Sequence, residues 1–84
     1  MSSGKLTTIR EILDKTTVFF EGKGIGTARL DAQILLAEAL GFDRLKLYLN
    51  LDRPLDEAEL SKARDLVRRR GTREPIAYIL GKKE

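Results

Sequence analysis

Apolar positions recur at helical spacing along most of the chain and predict four or five short helices. The first spans residues 8 to 20, where apolar side chains return every three, four or seven positions. These side chains are Ile9, Ile12, Leu13 and Phe20. Thr8 and Glu11 match a capping box, in which each side chain binds a free backbone donor of the first turn. One face of this helix is therefore expected in a core.

Three glycines within residues 22–26 predict a turn after this helix. Glycine clusters also occur in phosphate-binding loops, but those loops follow a buried strand. Here the preceding segment is an amphipathic helix, and no Gly-Lys-Ser/Thr follows. We therefore interpret the cluster as a connection between helices.

A second helix is predicted from the N-cap Thr27 to Leu40, with Gly41 as its stop. Its apolar side chains fall on two opposed faces. One face carries Leu30, Ile34 and Ala37, and the other carries Ala32, Leu35, Leu36 and Ala39. Polar strips lie between these faces, with Arg29 and Gln33 in one and Asp31 and Glu38 in the other. Two apolar faces imply neighbours on both sides, so this helix is predicted to be central.

A short third helix is predicted to start at Asp43 and to run through Leu49, followed by a turn over residues 50–54. Leucines alternate over residues 45–51, which equally suits a strand. We favour the helix because a single strand would have no partner in this chain.

A fourth helix is predicted from the cap Asp56 to Gly71, with acids in its first turn and arginines in its last. Its core stripe is Leu60, Ala63, Leu66 and Val67. Asp65 and Arg69 are expected to pair four residues apart. Pro75 and Gly81 frame a short fifth helix. The predicted fold class is all-α: a small bundle of four to five helices with a central helix buried on two faces.

Composition narrows the chemistry. The 84 residues suit one small domain, and they contain neither cysteine nor histidine. A disulfide framework, a thiolate zinc site and histidine catalysis are thereby excluded. No apolar run approaches the roughly 20 residues that span a bilayer, so we expect a soluble, cytoplasmic protein without membrane contact.

The net charge of +3 comes entirely from the second half of the chain, and residues 62–73 contain six basic side chains and one acid. Arg64, Arg68 and Arg73 are the candidate partner-binding residues. Nucleic acid is a possible partner for such a run. The stretch lacks aromatic residues that could stack on bases, so a solvated face or a protein contact is favoured.

Two stretches carry a family resemblance: ARLDAQILL at residues 28–36 and RGTREPIAYILG at residues 70–81. Together they resemble the N-terminal domain of the bacterial release factor glutamine methyltransferases, the HemK/PrmC family. The resemblance implies a small helical domain, a connector and a Rossmann-like catalytic domain. That catalytic domain would use S-adenosylmethionine to methylate the glutamine in the GGQ motif of peptide-chain release factors.

The resemblance also implies that the chain is divided into two segments with different roles. Residues 1–74 would form a helical substrate-docking domain, and residues 75–84 a short helix and the start of a connector to a catalytic domain that these 84 residues do not contain. The family's Asn-Pro-Pro-Tyr motif has no counterpart, so no catalytic, cofactor-binding or metal residue is predicted, and this segment is not itself an enzyme. Its partners would be the release factor and the catalytic domain. The candidate interdomain junction is Glu74, Pro75, Tyr78 and Gly81. The alternatives are a free-standing module that binds nucleic acid and a purely structural accessory domain.

Overall fold

A computed structural model describes residues 7–81 of the chain, so the last three residues of the predicted connector lie outside it. It confirms an all-α bundle of five helices. They are α1 (Ile9–Gly22), α2 (Ala28–Leu40), α3 (Arg44–Leu49), α4 (Glu57–Gly71) and α5 (Ile76–Leu80). The ambiguous leucine-rich segment is helical, as favoured, because Asp43 accepts a hydrogen bond from the Lys46 amide at 2.8 Å and so starts α3.

Side-chain caps fix the starts of the two longest helices. At α1 the Glu11 amide donates to Thr8 Oγ1 at 3.2 Å, and the Thr8 amide donates to a Glu11 carboxylate oxygen at 3.1 Å. Asp56 and Glu59 form the same reciprocal pair at the start of α4. Each box satisfies two backbone donors that the helix itself leaves free. Both predicted starts are therefore confirmed.

The central position of α2 is confirmed, since it contacts each of the other four helices. Six large side chains with almost no exposure fill the core around it. They are Ile9, Leu13, Phe20, Leu35, Leu36 and Leu47.

The predicted face of Leu30, Ile34 and Ala37 on α2 is confirmed only in part. Ala37 is buried and Ile34 is half-buried, but Leu30 is 40% exposed. Asp31 and Gln33, which the sequence pattern places in the polar strips, are buried. Burial is possible because both polar groups have partners: Asp31 accepts hydrogen bonds from Thr27 and Arg70, and the Gln33 amide donates to the Tyr48 hydroxyl. Thr27 precedes α2 as predicted, but its hydroxyl binds the Asp31 carboxylate and makes no backbone cap.

The turn after α3 completes the start of α1. The amides of Ile9 and Arg10 donate to the carbonyls of Arg53 and Leu51 at 3.0 and 2.8 Å, and the Leu55 amide donates to the Thr7 carbonyl at 2.8 Å. Two free donors of the first turn of α1 are thereby satisfied by a distant segment. The N-terminal end of the helix is tied to residues 51–55.

Candidate docking surface

The basic run on α4 is divided by the geometry of the helix. Successive residues turn by about 100°, so neighbouring arginines leave the helix in different directions. Arg64 and Arg68, one turn apart, are exposed on the outer side. Arg69 and Arg70 are partly buried on the side towards α2 and α5. The two sides have different partners.

The outer arginines have few internal partners. Arg64 makes no hydrogen bond or ion pair with any other residue in the range 7–81. Arg68 pairs with Asp65 at 2.6 Å, and its side chain remains 70% exposed. The predicted pair between Asp65 and Arg69 is wrong, because Asp65 binds Arg68 and Arg69 binds Glu74 instead. The structure therefore brings Arg64 and Arg68 together as charges facing solvent.

An apolar groove lies beside these arginines, between α1 and α4. Its volume is about 200 Å³. It is lined by Ile12, Thr16, Phe19, Arg64, Val67 and Arg68. The Phe19 ring packs against Gly71, where an added Cβ would lie 2.8 Å from ring atom Cε2. Lys23 Nζ lies 5.3 Å from the centroid of the same ring. The groove thus has an apolar floor and cations on its rim.

Sequence reasoning missed this groove. Ile12, Thr16 and Phe19 follow each other at intervals of four and three residues along α1, which is a helical stripe. That spacing was the available signal, but only the crossing of α1 over α4 shows that the stripe stays partly uncovered.

On the inner side, Arg70 forms the least exposed ion pair in residues 7–81. Its Nε donates to Asp31 Oδ2 at 3.0 Å, and its Nη1 donates to the Glu74 carbonyl at 3.0 Å. The side chains of Arg70 and Asp31 are only 19% and 6% exposed. Because one guanidinium joins α2, the end of α4 and the segment before α5, Arg70 serves the fold and is not available to a partner.

Arg69 and Glu74 form a second, more exposed pair beside it. The guanidinium donates through Nε at 3.1 Å and through Nη2 to the two carboxylate oxygens. These hydrogen bonds hold the pKa of Glu74 below its ordinary value and raise the pKa of Arg69, in each case against the effect of desolvation. Glu74 is thus fixed where the chain turns from α4 into α5.

Arg73, the third predicted partner-binding residue, does not line the groove. Its backbone has a φ of +74°, and its Nη2 donates to the Lys23 carbonyl at 2.9 Å. It therefore connects the end of α4 to the turn after α1. A direct contact with a partner stays a prediction for this residue.

The predicted junction residues surround α5. Pro75 occupies the N-cap position, and Gly81 ends the helix with a φ of +71°. Tyr78 is 73% exposed, and Ile79 is buried in the core. These positions are compatible with a junction to a further domain, which stays a prediction.

A second apolar surface lies on α3, where Leu45 and Leu49 are exposed one turn apart. Nothing in residues 7–81 covers it. Within the same residues, no helix is long and apolar enough to cross a membrane, and no cluster of acidic side chains could hold a metal ion.

Residues 11–81 match the family model of the PrmC N-terminal domain. A release factor glutamine methyltransferase of Geobacter sulfurreducens is 49% identical over 95% of this chain, and one of Rhodopirellula baltica is 44% identical over 92%. A bifunctional methyltransferase of Rickettsia felis is 38% identical over 92%. The chain spans only 28%, 26% and 15% of these three relatives. No solved structure matches the chain.

Proposed function

The chain belongs to the PrmC N-terminal domain family, and from this premise we propose that it binds and orients a release factor for a methyltransferase domain elsewhere in the same protein. The parent enzyme would transfer a methyl group from S-adenosylmethionine to the side-chain amide of the GGQ glutamine, in the cytoplasm. Its relatives' names support a release factor as the substrate.

We propose that the transfer chemistry belongs to the methyltransferase domain. In support, residues 7–81 contain no strand that a cofactor-binding glycine loop could follow. No chemical step is assigned to these residues. Their contribution would be binding energy and orientation, through which contacts remote from the reacting atoms accelerate a reaction.

The observation that carries the docking role is the exposed pair Arg64 and Arg68 beside an apolar groove. Charges that make few internal contacts can steer and hold an acidic protein surface. The inner arginines cannot do so without breaking pairs that stabilise the fold.

The test compares methylation of a release factor by a full-length enzyme carrying this domain with the same enzyme lacking residues 1–74. We expect the deletion to lower kcat/KM at limiting release factor. An unchanged kcat/KM would refute the docking role and would leave a structural accessory domain.

A second measurement locates the surface. The double variant Arg64→Glu, Arg68→Glu should weaken release factor binding and reduce its salt dependence, measured by titration calorimetry. The matched control is the double variant Arg44→Glu, Lys46→Glu, because both residues are exposed on α3 and do not line the groove. Equal effects of the two double variants would contradict the assignment.

A further inference from the structure

We infer that the groove between α1 and α4 binds an acidic amphipathic helix of the release factor. The inference rests on the proposed function and specifies it: the occupant is a protein helix, its apolar face enters the groove, and its acidic flanks meet the basic rim.

The dimensions of the groove suit about two turns of helix. Ile12 and Phe19 are seven residues apart on α1, which is about 10 Å along the helix axis. A volume of about 200 Å³ exceeds the roughly 150 Å³ of an apolar cavity that accommodates benzene. The groove therefore has room for one or two large apolar side chains.

A groove between two helices suits a third helix. Side chains one turn apart form ridges, and such ridges fit between those of neighbouring helices. Partners that bind this way present apolar residues at positions i, i+3, i+4 and i+7. Ile12, Thr16 and Phe19 on one wall and Val67 on the other offer the matching surface.

The rim determines the charge of the occupant. Arg64 and Arg68 stand along α4, and Lys23 stands at the Phe19 end. Lys15, exposed on α1 one turn from both Ile12 and Phe19, adds a fourth cation on the same side. On α4, the acid Asp65 lies beside this rim and already pairs with Arg68; Glu57 lies two turns before Arg64 on the same helical face. An acidic helix is therefore complementary, and a basic one is repelled.

The apolar floor of the groove disfavours RNA as its occupant. The groove buries an aliphatic and aromatic surface between the cations, whereas nucleic-acid grooves align cations along a phosphate track with aromatic platforms for successive bases. Phe19 is the only aromatic residue lining the groove.

The first experiment uses two helical peptide probes with leucine at i, i+3, i+4 and i+7, one flanked by glutamates and one by lysines. Amide chemical shifts of the 84-residue chain are followed by NMR. We expect the glutamate peptide to move the amides of Ile12, Phe19 and Val67, and the lysine peptide to bind at least about tenfold more weakly. Equal binding of both probes, or shifts confined to other surfaces, would overturn the inference.

The second experiment separates this inference from the proposed function. Val67→Glu places an anion in the groove, and Val18→Glu is its control, because Val18 is a valine of α1 that is 66% exposed and does not line the groove. In the full-length enzyme, Val67→Glu should weaken release factor binding by at least about tenfold and Val18→Glu by less than about twofold. Circular dichroism is used to check that both variants fold.

The outcomes are distinct. If removal of residues 1–74 weakens release factor binding and Val67→Glu does not, the groove inference fails and the proposed function stands. If neither change alters binding, the proposed function fails. If Val67→Glu instead loosens the enzyme's own catalytic domain or disrupts a dimer, or if RNA competes with the glutamate peptide, the groove has another occupant and the inference is overturned.

Discussion

Both sides of α4 carry arginines, but the arginines of the two sides have different partners. On the inner side, Arg70 reaches Asp31 and the Glu74 carbonyl with little exposure. On the outer side, Arg64 has no partner within residues 7–81, and Arg68 binds only the exposed Asp65. The run of arginines therefore comprises two groups of residues. The rotation of the helix turns the inner arginines towards partners in the fold and leaves the outer arginines exposed to solvent.

The largest effect should come from removing the acid on the inner side of α4, and removal of the acid on the outer side is its control. Asp31→Ala leaves the partly buried Arg70 charge without its carboxylate and should lower the free energy of unfolding by about 3 kcal/mol. Asp65→Ala breaks an exposed pair and should change it by at most about 0.5 kcal/mol. Urea unfolding followed by circular dichroism measures both. Similar losses would show that the two sides do not differ.

A charge-conserving change sharpens the comparison. Arg70→Lys keeps the charge, but a lysine ammonium cannot reproduce the two-pronged contact with Asp31 and the Glu74 carbonyl. We expect a loss of about 1 kcal/mol. Arg64→Lys, the matched change on the outer side, should be neutral in the same urea titration. A neutral Arg70→Lys would mean that charge alone maintains the inner contact.

The Arg69–Glu74 pair predicts a pH-dependent difference. The pKa of Glu74 is held below its ordinary value of 4.5, so its contribution to stability is present above that value and is lost as the pH falls through the folded-state pKa. Glu74→Gln should therefore lower the urea midpoint at pH 7, and this difference should shrink progressively as the pH falls below 4.5. Glu38→Gln, on exposed α2 surface, is the control. A midpoint difference that is constant with pH would contradict this account.

The smallest effect is expected where the outer side is altered alone. Arg64→Ala breaks no hydrogen bond or ion pair within residues 7–81 and should change the free energy of unfolding by less than about 0.5 kcal/mol. Thermal unfolding by calorimetry checks this value. A larger loss would reveal a structural role for Arg64 and would weaken its assignment to recognition.

The helices and their starts could be predicted from the sequence because their signals are local. Thr8 with Glu11 and Asp56 with Glu59 lie within one turn of each helix start, so spacing alone reveals them. The helical class and the central position of α2 followed from the same kind of evidence, whereas the helical identity of α3 followed from the lack of a partner for a single strand.

The contacts that divide α4 could not be predicted this way. Asp31 and Arg70 are separated by 39 positions, and only the packing of α2 against α4 brings them together. The periodicity of α2 places Gln33 in a polar strip, and its burial depends on its partner Tyr48, which is on another helix. The groove likewise depends on how α1 crosses α4, where Gly71 admits the Phe19 ring. Local spacing identifies an amphipathic face but not which part of it remains uncovered.

The attachment of residues 51–55 to the first turn of α1 has a consequence for how the chain is made. The Arg10 amide donates to the Leu51 carbonyl. The first turn of α1 therefore cannot be completed until residue 51 has been synthesised, 41 positions after residue 10. At about 5–20 residues per second, this interval is about 2 to 8 seconds. Until that segment has been synthesised, the amides of Ile9 and Arg10 lack their native acceptors, and the first turn of α1 remains incomplete.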